Sequence, residues 1–403
     1  MNIEVPQIDT LNKILPDEPL LMMGAGPVPI PNAVAAANGI VINHLGESMT
    51  RIINQVKSMG QYIFQTESKW IMGVAGPGSA AMEMAVANLV WTDTRVLSVC
   101  NGFFSDRLAE MAHRAGANVK RMMVPEGQGA DPEAIQALLK TFKPQVLTIV
   151  QGETSNTTHN FELPKIAKLA AQHNCLVIVD AVCTLSTLPL YMDKWGIDAV
   201  ISGGQKGLSS IPGVSLVAFS DAAWHRIIGR SEPIRHWTLD ATLATNFWHK
   251  GSYHYTAPVS GLLALHEAMR LVCEETLEKR FHRHQTRSSA LQSAIEVLGL
   301  ELYVKPESRL NSVVGIKLPE GMEPKKICTH ISENYRVEIA GSFGPPIVRI
   351  GQMGEQCRVH NLFRTLHAFG STFKDLGVKV DVAAGMAELE NQLQRTQTDC
   401  SGI

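Results

Sequence analysis

Short runs of Val, Ile and Leu alternate with amphipathic stretches through the first two thirds of this chain. The strand-like runs are Ile71–Ala75, Val96–Cys100, Val119–Val124, Val146–Val150, Leu176–Val179, Ala199–Ser202 and Val214–Phe219. Several are apolar throughout, as strands covered on both faces must be. Between them lie helix candidates at Ala80–Leu89, Asp106–Arg114, Pro132–Thr141 and Pro164–His173, preceded by a helix over Gly46–Thr66. Pro132 and Pro164 occupy first turns, where a missing N–H costs nothing. Regular alternation of strand and helix predicts an α/β fold, with a mostly parallel seven-stranded sheet flanked by helices. Ligands in such sheets bind beyond the carboxyl ends of the strands. Near residue 270 the rhythm changes to a long charged helix, EETLEKRFHRHQTRSSALQSAIEVL. Strand-like pieces follow at Ser312–Ile316 and Ile347–Ile350, then a closing helix near 358–369. The expected organisation is an N-terminal arm over 1–20, a large domain over 21–270 and a smaller α+β domain over 271–403.

Composition narrows the function. The 403 residues are 45% hydrophobic and 18% charged, with 36 Lys+Arg against 38 Asp+Glu and a formal net charge of -2. That balance suits a folded protein that binds small molecules, and without a dense basic run it gives nucleic acid no footing. No apolar stretch is long enough to span a membrane. The N-terminus carries acids and prolines where a signal peptide needs a basic and then an apolar segment, and Ser401-Gly402-Ile403 is no recognisable targeting signal. Seven cysteines stand at 100, 175, 183, 273, 328, 357 and 400, without a Cys-x-x-Cys pair. An odd, scattered set reads as buried reduced thiols of a cytoplasmic protein, and no metal site is expected.

Three strand ends carry the candidate chemistry. Val74-Ala75-Gly76-Pro77-Gly78-Ser79-Ala80-Ala81 is a strand, a glycine turn and a helix start. Free N–H groups and the positive end of the helix dipole make it a phosphate seat. Its spacing also fits G-x-G-x-x-A, the dinucleotide fingerprint of a nicotinamide dehydrogenase, but that reading needs an acid ending the next strand. Here the next strand ends in Cys100-Asn101-Gly102. The second strand end is Cys175-Leu176-Val177-Ile178-Val179-Asp180, where an acid closing an apolar strand needs a cationic partner or else caps a turn. The third, Ala199–Gly207, reads AVISGGQKG and places Lys206 in small residues, 26 positions after Asp180. A desolvated lysine loses its proton readily and becomes a nucleophile towards an aldehyde. Each feature alone has a bland reading. The ordered set of glycine turn, strand-end Asp and strand-end Lys is specific.

With these residues the chain resembles the fold-type I pyridoxal-phosphate enzymes. It is most similar to class V aminotransferases of the alanine–glyoxylate and serine–pyruvate group. The resemblance runs from about Leu21 to the final helix, and is closest at Gly24–Pro29, Gln61–Thr66, Pro189–Gly196, Ile197–Lys206 and Val348–Gly354. It implies that Lys206 holds pyridoxal 5'-phosphate as a Schiff base and that Asp180 pairs with its pyridine nitrogen. It places Gly78, Ser79 and Gln205 at the phosphate, Phe104 stacked on the ring, Val182 on the opposite face and Thr154 at the phenolic oxygen. Tyr253 and Thr256 match a pair that reaches the phosphate of a second subunit, so the resemblance implies a homodimer with shared active sites. Arg349 matches the arginine that grips the substrate carboxylate, and Gly26 lies in the loop beside it. A guanidinium fork inside the apolar run Ile347–Ile350 needs such a partner, or else a structural ion pair. The activity implied is transamination between alanine or serine and glyoxylate or pyruvate. Another amine donor is the alternative: pyridoxamine, ureidoglycine or aminoethylphosphonate. Three departures from the family pattern stand out. Phe104 replaces a frequent Trp, Pro77-Gly78-Ser79 replaces Ser-Gly-His, and the segment 155–160, SNTTHN, replaces a Ser-Thr-Gly run and so alters an expected wall of the substrate pocket.

Overall fold

All seven apolar runs form strands of one sheet: β1 (Ile71–Ala75), β2 (Arg95–Cys100), β3 (Asn118–Met123), β4 (Val146–Val150), β5 (Leu176–Asp180), β6 (Ala199–Ile201) and β7 (Val214–Phe219). Their order is β1-β7-β6-β5-β4-β2-β3. Only β7 runs against the rest, pairing antiparallel with β1 (Val214↔Ala75) and β6 (Val217↔Ile201). The other pairings are parallel, including β4 with β5 (Val150↔Asp180) and β5 with β6 (Asp180↔Ile201). The carboxyl ends of β1, β2, β4, β5 and β6 therefore open on one edge. This computed structural model describes residues 5–400, with side chains to residue 395. The first four residues, the Cys400 thiol and Ser401-Gly402-Ile403 lie outside the described residues.

The expected helices flank this sheet and build one core with it. Met84, Leu89, Leu97, Ile149, Val179 and Phe219 are fully buried there. Each such side chain contributes about 1.5–3 kcal/mol by leaving water. A second core gathers around a three-stranded sheet of β8 (Val313–Lys317), β9 (Ala340–Gly341) and β10 (Ile347–Gly351), in the order β8-β10-β9. Leu291, Ile295, Val348, Leu366, Phe369 and Phe373 fill it. Met23 also packs in this second core, and Leu21–Met22 pairs with Val337–Glu338, so the chain's start crosses to the later sheet.

Several elements differ from the sequence reading. The helix expected from Asp106 begins at Phe103, one turn earlier. The helices Ala241–Trp248 and Val259–Glu275 stand where no element was expected. The expected closing helix runs Val359–Asp375, and another, Val382–Cys400, follows it and lays Leu389 and Leu393 on the second core. The thiols of Cys100, Cys175, Cys183 and Cys357 are free and buried, and those of Cys273 and Cys328 are free and half-buried. Among the described residues, no helix is long and apolar enough to cross a membrane.

Candidate active site

The glycine turn after β1 comes first along the chain. Gly76 takes φ +129°, a conformation side chains rarely adopt, and the turn delivers the chain into the helix Gly78–Leu89. The first-turn N–H groups of that helix have no intrahelical acceptor, so they face the strand ends as a positive cup. Val182 explains the glycines on either side of it. A Cβ on Gly78 would lie 2.9 Å from one Val182 methyl, and a Cβ on Gly203 2.8 Å from the other. The Ser79 hydroxyl accepts a hydrogen bond from Arg107 Nη1 at 3.0 Å, which brings a guanidinium to the cup that the sequence had not marked. Gln205 holds its backbone carbonyl to Val28 N at 3.2 Å, while its side-chain Oε1 is buried without a partner.

Asp180 closes β5 and is 6% exposed. Its Oδ1 accepts the Val182 N–H at 2.8 Å, and no ion pair among the described residues reaches it. Burial pushes its pKa up to about 7, further raised by Glu153 and opposed by the Val182 N–H and by the positive charges of Lys206 and Arg107. Lys206, one strand over, donates from Nζ to the Ala25 carbonyl. Burial lowers the pKa of this amine, as does the Arg349 cation, against Cys183 and Asp180, which raise it. Gly26, expected near the substrate, takes φ +99° and lies against this lysine; a Cβ there would collide with Nζ. The two residues from adjacent strand ends thus form one electrostatic unit.

Glu153 organises the opposite wall. The Gly152–Glu153 strand follows β4, and this fully buried carboxylate accepts from Phe104 N (3.1 Å), Ser105 N (2.9 Å), Ser105 Oγ (3.0 Å), Ser155 N (3.1 Å) and Ser155 Oγ (2.7 Å). A remote carboxylate at a helix N-terminus satisfies orphan donors and the dipole together. That is why the helix starts at Phe103, and why Gly102 is needed, since a Cβ there would strike Glu153. Sequence reading passed over Glu153; its signal was an acid three residues beyond an apolar strand, where Asp180 closes one. The cap orients the half-buried Phe104, whose ring has the Arg107 guanidinium 4.9 Å from its centroid.

Arg349, on β10, reaches across to this wall. Its Nη1 donates to the Thr154 carbonyl at 2.7 Å, and Nε (2.8 Å) and Nη2 both donate to Gly341 O. Three of five N–H groups are thus engaged, none with a carboxylate among the described residues. Burial lowers its pKa to about 10, against the influence of Glu153 and Cys328. The ion-pair alternative therefore fails, and a partly free guanidinium fork faces the strand ends. The segment 155–160 is buried throughout. Asn156 donates to the Asn101 carbonyl, and Asn160 donates to Val150 O at 2.7 Å and accepts from Ala130 N at 2.8 Å. Asn160 is thus satisfied by backbone, while the Asn156 Oδ1 is buried with no partner among the described residues. Tyr253 and Thr256 are exposed and do not join this chain's own cup. Their neighbour Tyr255 does approach it, its Oη accepting Ala75 N at 3.4 Å.

The loops that carry Lys206 and Arg349 are held by a buried ionic hub that sequence reading took for part of a charged helix. Arg280 donates to the Gly207 carbonyl, to Ser186 Oγ at 3.2 Å and to Glu275 Oε2 at 2.7 Å. Arg283 donates to Gly354 O at 2.9 Å and to Glu275 Oε2 at 2.8 Å. His284 accepts the Gly354 N–H at 3.0 Å on Nε2, while its Nδ1 donates to Arg280 O at 2.7 Å, so the ring is neutral. Burial depresses the His284 pKa well below its ordinary value, and the two arginines add to this.

The set of residues suits pyridoxal phosphate. The cup and the Gln205 amide, whose NH2 is the donor a phosphate would need, suit the phosphate end, and the uncompensated Asp180 carboxylate suits a protonated ring nitrogen. Lys206 supplies an amine of lowered pKa for the aldehyde. Comparison with known proteins agrees. Residues 33–360 match the family described as aminotransferase class-V. An alanine–glyoxylate aminotransferase of Oryctolagus cuniculus is 34% identical over 365 residues, covering 88% of this chain and 93% of its own. The crystal structure of ureidoglycine–glyoxylate aminotransferase from Bacillus subtilis superposes with a TM-score of 0.91 at 30% identity, covering 94% of this chain and 99% of that one. A pyridoxamine–pyruvate aminotransferase from Mesorhizobium loti has a TM-score of 0.90 over 94% of this chain and 99% of its own; at 22% identity it speaks to the fold alone. The dinucleotide reading of the glycine turn is set aside by these matches.

Proposed function

Because the chain belongs to the class V aminotransferases, we propose that it is a pyridoxal-phosphate enzyme moving an amino group from alanine or serine to glyoxylate or pyruvate. One observation carries this reading. A buried carboxylate without a cation partner and a buried amine of lowered pKa end neighbouring strands beside a helix N-terminus. When bound, pyridoxal phosphate supplies an aldehyde carbon that condenses with amines and a cationic ring that draws electrons from the substrate's α-carbon.

The protein's own residues do the rest. Asp180 keeps a proton on the ring nitrogen by offering that charge a counter-ion. Gly78, Ser79 and Gln205 hold the phosphate, Phe104 and Val182 hold the two ring faces, and Thr154 faces the phenolic oxygen. Arg349 fixes the substrate carboxylate through the N–H groups left free by Gly341 and Thr154. Lys206 Nζ, with a proton affinity lowered by burial, removes the α-proton as a general base and returns a proton as a general acid. Amino donor and oxo-acid acceptor use the same groups in turn, so ping-pong kinetics are expected. In this reading 21–270 is the cofactor domain and 271–403 the smaller one, in a cytoplasmic homodimer. Tyr253 and Thr256, exposed on each chain, complete the phosphate site of the other. Ureidoglycine as the donor is the second reading, favoured by the fit to the Bacillus subtilis enzyme.

The test begins with the purified protein and added pyridoxal phosphate. A yellow complex that borohydride bleaches and fixes covalently is expected, and Lys206→Ala should abolish the fixation and at least ~10²–10⁴-fold of the activity. Conversion of the bound cofactor to its amine form by alanine or serine then decides the donor. A protein that stays colourless overturns the cofactor assignment, and a coloured one inert to both amino acids overturns the donor.

A further inference from the structure

Between Gly341 and Ile347, the loop Ser342-Phe343-Gly344-Pro345-Pro346 leaves a phenylalanine 62% exposed, although its ring is in contact on three sides. It stacks on Phe103 (centroids 5.0 Å, planes 23° apart) and meets Phe104 edge-on (6.0 Å, 87°). The Arg349 guanidinium lies 5.5 Å from its centroid. Gly341 O receives Arg349, and Ser342 Oγ donates to the Ser155 carbonyl and accepts the Gly344 N–H at 3.3 Å, so both flanks of Phe343 are fixed. The exposed ring is therefore a held feature, and its position is given by its neighbours. One is the guanidinium assigned to the substrate carboxylate, the other the ring assigned to stack on the cofactor.

We propose that Phe343 is a specificity-determining residue that limits the length and polarity of the donor's side chain. The inference rests on the reading of Arg349 and Phe104 given above and deepens it. An amino acid whose carboxylate meets Arg349 and whose nitrogen points to Lys206 directs its side chain towards the remaining open side. The rings of Phe343, Phe103 and Phe104 form an apolar rim there. A methyl or hydroxymethyl group fits beneath such a rim. A longer chain meets the Phe343 ring, and an acidic one must leave water beside aromatic faces with Arg349 already taken. The restriction thus lies on a loop beyond β9, which Ser342 ties to the start of the 155–160 segment.

The experiment measures kcat/KM of the holoenzyme for alanine, serine, 2-aminobutyrate, methionine and phenylalanine with glyoxylate as acceptor. Wild type, Phe343→Leu, Phe343→Val and Phe343→Ala are compared. Each protein is first checked for folding by circular dichroism and for cofactor binding by absorbance titration. The ratio of methionine to alanine should rise stepwise as the side chain shrinks, by ~tenfold or more at Phe343→Ala, with the gain appearing mainly as a lower KM for methionine. If Phe343→Ala fails to fold, Phe343→Val carries the same trend at a smaller size. A ratio that stays within about twofold across the folded variants, in an enzyme active on alanine, overturns the proposal and leaves the transaminase reading standing. A wild type that binds cofactor but accepts neither alanine nor serine overturns both, and the donor screen reports that separately.

Discussion

Two carboxylates drawn out of water, one fully and one in part, have opposite fates in this protein. Asp180, at the end of β5, is bonded to one backbone N–H, and burial drives its pKa up to about 7. Glu275 closes the helix Val259–Glu275 where the next begins, and burial acts on it in the same direction. There Arg283 and Arg280 both bond it, and together they hold its pKa to about 2. Arg349 and Arg280 repeat the contrast among cations. Arg280 is matched to a carboxylate, a hydroxyl and a carbonyl, whereas Arg349 has only carbonyls and N–H groups to spare. A charge that the chain itself neutralises holds loops together; a charge left uncompensated is waiting for a ligand. The two regions are joined, since the neutralised hub grips Gly207 and Gly354, next to the exposed chemistry of Lys206 and Arg349.

Removing the hub's single acid is the most damaging way to break this comparison. Glu275→Ala strands two buried guanidiniums, and such losses cost ~3–5 kcal/mol. Chemical denaturation of the cofactor-free protein should register that drop, with Glu275→Gln intermediate because it keeps one acceptor oxygen. A loss below ~1 kcal/mol would mean that Arg280 and Arg283 are adequately held by Gly207, Ser186 and Gly354 alone.

The contrast also explains what sequence reading reached. β1 to β7 and the positions of Asp180, Lys206 and Arg349 were legible because each depends on local pattern: an apolar run, then a residue out of keeping with it. Glu153 and the hub were not, because their meaning lies in partners far along the chain. Glu153 caps a helix that begins 50 residues earlier, and a charged segment such as EETLEKRFHRH reads as a solvated face until Gly207 and Gly354 are brought against it. The early start of the Phe103–Arg114 helix was missed for the same reason, since Phe103 and Phe104 look strand-like without their remote cap. The 155–160 segment shows both kinds of residue: Asn160 is bonded to backbone at both ends of its amide, while Asn156 donates to Asn101 O and leaves a buried Oδ1 with no partner among the described residues.

Asp180 gives a smaller effect with the opposite sign. Asp180→Asn keeps an oxygen for the Val182 N–H while removing the unpaired charge, so the cofactor-free protein should gain ~1–3 kcal/mol at pH 8. The same change deprives the cofactor ring of its counter-ion and should lower activity by ~10²–10³-fold. Thermal melts with and without pyridoxal phosphate would read both: the variant should melt higher when empty and gain less on binding. A lower melting temperature for the empty variant would show that the carboxylate is already compensated within the protein.

The pH dependence of that difference is the finest test. For Asp180 the folded pKa is about 7, against ~3.9 for the unfolded chain. The folded state therefore holds more protons between those values, and stability falls as pH rises through that window, by at most ~1.4 kcal/mol per unit. Glu275 has the reverse shift, to about 2. The stability it provides is present above the unfolded value of ~4.3 and is lost only as pH falls through about 2, so it is level from pH 5 to 8. His159 and His249, each lowered to about 4 by burial, contribute a rise of stability with pH that masks Asp180 in the wild type alone. Subtracting the Asp180→Asn curve cancels them. The difference should be steepest between pH 5 and 7, flatten above pH 8 and lose this slope when cofactor is bound, because the ring then holds Asp180 ionised throughout. A difference flat from pH 5 to 7 in the empty protein would place Asp180 among the satisfied charges, alongside Glu275.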